Sequence, residues 1–563
     1  MSSPTDARPS RLDPAGARRP ATGAGWRATR LNHPNPLWGS NGIAFGPDGR
    51  LHVAQFLAGR ISAVDPATGD VETVVGPGDP VEAPDDLAFG ADGAMYIADL
   101  TPGRVWRRTP AGEYHLVTAD IAQPNGITCV GDRLFVNEMR SAGRLFELFP
   151  DGRDPVVLAD DLAWGNAMQR GPDGWLYYPH MMTGQVWRVH PDGGPPELFA
   201  DAVDEPVAVR FDRGGALVVL SRGPAGLLTR IDRDSGRRTV LATGVTGLDN
   251  AAFDAENRML VSSYASGGIT EVHPDGRTRD LVPRGLNGPF GITVDLGGRV
   301  HVADHFSLTS TPAPGEATTQ PPWPDAALTR RLIIFAHGVA AADGLLHLTT
   351  RRGEVHTHDP AGDTTRVRVT GLRDPVGIAV APDGALLVAE AGAGRVLRVD
   401  AADDAVTVLA AGLPHPVDVA LDGAGRVHVT DDELGAVLRL DDEGAGPGTT
   451  VADGLGAPQG LVVDGDELFT VETARRRLLA ISLPTGERRV VAADLPVGRP
   501  AAAGRAAPKD PPGVAAPPPP FAGLALAPDG ALLLSANGEG TVLRLDRPAR
   551  PDGRAGGGAA PNE

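Results

Sequence analysis

Asn41-Gly-Ile-Ala-Phe-Gly-Pro-Asp-Gly-Arg-Leu-His-Val-Ala-Gln55 decides the fold: a short apolar strand, a Gly-Pro-Asp-Gly turn, then a second strand with alternating side chains. Gly and Asp supply the unusual backbone angles that such a turn needs. Leu51-His-Val-Ala-Gln, Met95-Tyr-Ile-Ala-Asp and Leu134-Phe-Val-Asn-Glu keep the same period of two, the pattern of half-buried strands. An Arg/Gly break and a third strand follow, and the unit recurs twelve times. Its inner strands open at Asn41, Asp85, Asn125, Asn166, Val207 and Asn250, then at Phe290, His337, Val376, Val417, Gln459 and Ala522. Successive starts are roughly 40 to 47 residues apart, except for one longer step before Ala522, which is the period of four-stranded propeller blades. Twelve blades exceed one ordinary ring of about four to eight. The sequence therefore predicts an all-β protein made of two tandem six-bladed β-propellers.

Residues 26–289 are expected to form the first ring and 290–546 the second, with disordered tails at 1–25 and 547–563. Trp26 to Leu31 resembles the fourth strands of other repeats, such as Thr278 to Leu281. It is expected to close the first ring by pairing with the last blade, which would remove two exposed sheet edges. Two insertions interrupt the second ring. At 306–327 a Ser/Thr/Pro-rich stretch with Trp323 stands where a third strand is expected, and at 496–520 four successive prolines separate the last two blades. Such loops are either covers over a site or tolerated insertions, and Trp323 keeps the first reading open, because an exposed Trp is costly.

The chain has 563 residues, is 41% hydrophobic and carries a formal charge of −19, enough for two substantial cores. Excess acid argues against nucleic acid as a partner, since phosphate tracking needs clustered positive charge. Lys509 is the one lysine, so Schiff-base chemistry is nearly excluded. The lone Cys129 cannot form an intramolecular disulfide, and neither a signal peptide nor a membrane span is evident. A cytoplasmic protein, plausibly a monomer, acting on a small molecule is the expectation.

In a propeller the first residue of each inner strand faces its counterparts across a central channel. In the first ring these positions read Asn41, Asp85, Asn125, Asn166, Val207 and Asn250, five of them polar. In the second they read Phe290, His337, Val376, Val417, Gln459 and Ala522, four of them apolar. Several amide and carboxylate oxygens at one mouth suit a hard divalent cation, Ca²⁺ first, with Mg²⁺, Mn²⁺ or Zn²⁺ as alternatives. The competing reading is turn chemistry, because Asn and Asp also stabilise loop-to-strand transitions. Both rings need the same turn, yet only one carries the polar set. The loops after the second strands add Gln55, Asp99, Glu138, His180, Ser221 and Tyr264 around the same mouth. Asp99 has acidic counterparts in the second ring and reads as structural, and Glu138 is discounted for the same reason. His180 replaces the usual acid with a group that exchanges a proton near neutral pH. Arg222 could take an anionic substrate group.

Asp85-Asp-Leu-Ala-Phe, Pro124-Asn-Gly-Ile-Thr and Asp249-Asn-Ala-Ala-Phe resemble the metal-site strands of the SMP-30/gluconolactonase/LRE-like family and its calcium-dependent paraoxonase relatives. The general repeat is similar to NHL repeats. The likeness covers roughly residues 26–289. It implies a six-bladed propeller with a cation in its channel and hydrolysis of lactones or phosphoesters. Asn125 matches the family's Pro-Asn-Gly asparagine. Two departures stand out: the usual Glu of the first inner strand is Asn41, and a Pro-Asp-Gly aspartate is replaced by Gly165-Asn166-Ala167. The implied ligand set is Asn125, Asn166, Asn250 and Asp85 or Asp249, with Asn41, Arg222 and Tyr264 near the substrate. His180, Glu138, Asp85 and Asp249 are the candidates for proton transfer. The alternatives are a metal-assisted lyase that opens a cyclic ester and a non-catalytic double-propeller scaffold.

Overall fold

The computed structural model describes residues 8–13, 16, 18–316, 320–440, 446–498 and 521–548. It is almost wholly antiparallel β-sheet, arranged as twelve propeller blades in two rings. Blades 1 to 6 occupy residues 43–75, 84–118, 124–162, 169–200, 206–242 and 248–282, and each is a complete four-stranded meander. The Gly-bearing turns that ended each strand in the sequence are tight reversals here, with Gly49 at φ 77° and Gly93 at φ 76°.

The second ring is less regular. Blades 7 and 8 share one strand, Thr329–Ala342, inside a seven-stranded sheet. Its first half is the outer edge of blade 7 and its second half the inner strand of blade 8. The expected gap in blade 7 is filled: His305–Ser310 pairs with Val300–Ala303 as a regular third strand. Only the stretch after it is inserted, and it includes the short 3₁₀ turn Asp325–Ala327. Blades 9 to 11 occupy 375–411, 416–452 and 458–493. Blade 12 has only three strands between 524 and 546, and its fourth is Arg27–Arg30, which pairs with Thr541–Asp546.

That pairing corrects the expectation for the N-terminal strand. It closes the second ring, and the first ring begins after it. Residues 8–13 and 18–25 are not a loose tail either. Arg11 is buried and donates to the backbone oxygens of Asn287 and Asn537, while Ala21–Thr22 adds a fifth strand to blade 11. Trp323 packs on this same closure: its N–H donates to Leu31 O at 2.8 Å. Residues 499–520, with Lys509 and the proline run, and the tail beyond 548 lie outside the described residues.

The first ring closes with side chains instead of a borrowed strand. Ser262 Oγ in blade 6 donates to Asn41 O at 2.5 Å, and Asn250 Nδ2 donates to Asp86 Oδ1 at 3.1 Å. Gly42 lets this happen, since a Cβ there would collide with Asp86 and the Asp85 carbonyl. The second ring repeats the device with Gly377 before Asp418, whose carboxylate accepts the N–H groups of Val419 and Leu461 at 2.9 Å each.

If residues 27–30 are what close the second ring, a chain lacking residues 1–30 exposes the edge at 541–546. Limited proteolysis is expected to cut residues 521–548 first while 43–282 stays protected. Equal protection of both rings would contradict this closure.

Candidate functional site

The inner strands carry two stacked layers of residues down the first channel. Pairing with the second strands fixes their register: Phe45, Phe89, Phe211 and Phe253 oppose Leu51, Met95, Leu217 and Met259. Counting back four residues puts Asn41, Asp85, Val207 and Asp249 in the upper layer, beside Asn125 and Asn166. Blade 6 thus presents Asp249 at the mouth. Asn250, expected there, lies one step deeper with Asp86. Aligning Phe253 with Phe89 in the sequence carries this information.

Asn41, Asp85, Asn125, Asn166, Asp249, Arg222 and Tyr264 all line one cavity of about 110 Å³. Its walls are Phe56, Leu100, Met139, Trp164, Met181 and Val207. Over it lie Phe306, Phe335 and Arg352 from the second ring. Phe306 opens the 306–327 stretch that the sequence offers as a cover, whereas Phe335 and Arg352 lie outside it.

Hydrogen bonds sort the polar floor. Asp85 accepts from Asn41 Nδ2 at 3.2 Å and from Asn125 Nδ2 at 2.6 Å. The amide oxygens of both asparagines are buried without a hydrogen-bond partner. Asn166 and Asn250 differ: each Oδ1 accepts the N–H of the next residue, Ala167 at 2.7 Å and Ala251 at 2.8 Å. Turn chemistry therefore accounts for those two, and they are not part of the oxygen set that faces the cavity unpaired.

Burial governs the charges. Asp85 is pushed up to about 7 by desolvation and by Asp86, against the pull of the Asn125 hydrogen bond. Asp86 rises to about 6, also by burial, with Arg210 opposing. Asp249 is held well above the carboxylate range by burial and then by Asp85 and Asp86. One buried cation stands near these three acids. Arg210 occupies a row where blades 1, 2 and 6 carry Ala44, Ala88 and Ala252, and it donates to the carbonyls of Met168, Val209 and Ala251.

Two candidates lie away from the cavity. Glu138 accepts from the backbone of Ala122 and Arg144 and pairs with Arg140 and Arg144, which makes it a loop anchor. His180 stacks on Trp187, ring centres 5.4 Å apart, and burial lowers it to about 4, so it is neutral at pH 7. Its neighbour Met181 faces the cavity instead. Asp99 binds the N–H groups of Glu82 and Ala83 and Trp106 Nε1, as its structural reading expects. The second ring's mouth is shut by Phe290, Val376, Val417 and Phe521 packed together, with His337 edge-on to Phe290.

Among the described residues no group of three or more His, Cys, Asp or Glu could hold a metal. A cation site here would have to use amide oxygens. The unpaired Oδ1 atoms of Asn41 and Asn125, flanking Asp85, fit a hard cation, which prefers several oxygens.

The fold and this pocket define the chain as a tandem six-bladed β-propeller protein with a polar, roofed mouth on one ring. No family model and no curated protein matches it in sequence. Solved structures similar to it include a streptogramin B lyase, at 17% identity over 49% of this chain and 94% of that one, TM-score 0.38. Virginiamycin B lyase from Staphylococcus aureus aligns at 18% identity over 49% and 96%, TM-score 0.38. A gluconolactonase from Xanthomonas campestris aligns at 18% over 44% and 93%, TM-score 0.36. Scores this low assign neither family nor activity, so function rests on the pocket.

A raised folded-state pKa means that ionisation costs stability: the contribution is present at low pH and lost as pH rises toward the folded value. Asp249→Asn removes one such group and relieves Asp85. In chelator-treated protein its melting temperature relative to the parent is expected to be higher at pH 8 than at pH 5. A difference that does not change with pH would mean that Asp249 is not a buried, repelled acid.

Proposed function

We propose that the first-ring mouth is the active site of a lactonase- or esterase-type hydrolase that uses a divalent cation, with Ca²⁺ as the best chemical match. One observation carries this reading: two buried amide oxygens without partners flank a buried carboxylate under an apolar roof. Asp85, Asn41 and Asn125 would hold the ion. When bound, it would supply Lewis-acid polarisation of an ester carbonyl.

The chain's own groups supply the rest. Asp249 lines the same cavity, and burial and two neighbouring acids raise its proton affinity well above that of an exposed carboxylate, which makes it the stronger base of the cavity lining. It accepts a proton from water as the new C–O bond forms and returns it to the alkoxide as the ester C–O bond breaks. Asn166 Nδ2, otherwise directed at the sulfurs of Met139 and Met181, is a donor for the substrate. The aromatic roof keeps bulk water out, which strengthens each electrostatic contact. A scaffold that binds proteins through the top of the first ring fits poorly, since the second ring covers that mouth.

Elemental mass spectrometry on purified protein is expected to find about one divalent ion per chain, absent from an Asp85→Asn, Asn125→Ala variant. Asp249→Asn is expected to keep the ion and lose hydrolysis of a simple lactone by about 10²-fold or more. Folded protein that takes up no ion after Ca²⁺ loading would refute the metal site. Full activity in Asp249→Asn would refute the proton carrier.

A further inference from the structure

The roof of the pocket belongs to the other ring, and its backbone is strained. Bulky residues rarely adopt positive φ, and the strain is tolerated where function requires it. Three aromatic residues do so among the described residues: Trp164 at φ 61°, His305 at 54° and Phe335 at 68°. Trp164 and Phe335 line the cavity, and His305 immediately precedes Phe306, which also lines it. The bulge between His305 and Ser307, and that between Ala336 and Val339, re-aim the chain at this point. The result is a box of rings. Phe306 meets Tyr264 edge-on at 5.2 Å and Phe335 at 6.0 Å.

Two guanidinium groups complete the lining. Arg222 comes from the first ring and reaches Glu205 at 3.4 Å, a half-exposed acid at the rim. Arg352 comes from the second ring and lies over the Phe335 ring at 5.4 Å. Its neighbour Arg351 is committed elsewhere, donating its N–H to Phe335 O and its side chain to Asp374. Among the described residues no carboxylate pairs with Arg352, and it is solvent-exposed.

We infer that the second ring is the specificity element of the first-ring site, which takes a small ester or lactone carrying a carboxylate at the end of a short apolar chain. The inference rests on the hydrolase reading for the reaction but not for the binding. The carbonyl lies at the Asp/Asn floor and the apolar chain between Phe306, Phe335 and the two methionines. The carboxylate reaches Arg222 and Arg352, because two arginines at an apolar mouth favour an anion that a neutral chain end cannot replace. The placement of both arginines at the rim fixes the orientation.

The test compares monomethyl glutarate with methyl butanoate, alike in their ester and apolar chain except for the terminal carboxylate. In Ca²⁺-loaded full-length protein, kcat/KM followed by NMR is expected to favour the glutarate ester by about 30-fold or more. Arg352→Ala is expected to shrink that ratio at least tenfold, and Arg352→Lys to restore part of it. Equal turnover of the two esters, or a ratio unchanged in Arg352→Ala, overturns the inference. If neither ester is hydrolysed, the hydrolase reading fails and calorimetry decides the remainder. Monomethyl glutarate binding that weakens tenfold in Arg352→Ala upholds the anion site, and no binding, or binding indifferent to Arg352, rejects it.

Discussion

Everything about the arrangement of the two rings follows from one strand pairing. Arg27–Arg30 precedes the first ring in the chain yet completes blade 12 of the second. The first ring is therefore an insertion within the second, and its two ends must leave and return at the same place. Arg11 sits at that junction, its guanidinium bonded to carbonyls of Asn287 and Asn537 and stacked on Trp38 at 4.4 Å. Burial there is severe enough to lower its pKa to about 9, against the pull of Asp304 and Glu539. With both ends of the first ring held, Phe306, Phe335 and Arg352 of blades 7 and 8 lie over its mouth. The roof over the pocket is a topological consequence before it is a functional one.

The rings use the same inner-strand geometry for different ends. Each has one blade in which an aspartate, Asp86 or Asp418, fills the second layer and takes N–H groups from the next inner strand. Each has a glycine beside it that makes room. This bridge is shared and so is structural. The upper layer differs. In the second ring it collapses into an apolar plug, whereas in the first it holds two carboxylates and three amides beneath a cavity. Burying Asp85, Asp86 and Asp249 near a single Arg210 is unfavourable for stability, since like charges and desolvation act in the same direction. An arrangement that a plug could replace at lower cost argues for chemistry at the first mouth.

Much of this was legible in the sequence. Period, turns and strand alternation gave twelve blades, and the contrast between the two mouths pointed to the first. What failed had identifiable causes. Asp249 and Asn250 are both polar, so choosing the mouth residue by polarity picked the wrong one, whereas the apolar anchor Phe253 fixes the register. His180 looked like an acid–base group because it broke a pattern of acids. Its strand points it at Trp187, and pattern alone does not give direction. Arg27–Arg30 showed itself as a strand, but which edge it seeks depends on ring closure, a long-range matter. Phe335 and Arg352 were invisible for the same reason: nothing local says that blades 7 and 8 meet another ring.

The roof also decides how a ligand enters. Burying two phenylalanines is worth roughly 1.5–3 kcal/mol each, comparable to the cost of holding His305 and Phe335 at positive φ. Neither effect dominates, so the bulge persists only because the surrounding sheet holds it. Phe306 and Phe335 belong to the same buried cluster as Leu220, Val218 and Leu248 of the first ring. Swinging them away would open the core between the rings as well as the pocket. The roof is therefore fixed, and access comes from the side where the lining reaches solvent, at the exposed Arg352 and the half-buried Arg222 and Trp164. A ligand entering there passes the two arginines first, so charge is read at the rim before the ester reaches the acids below.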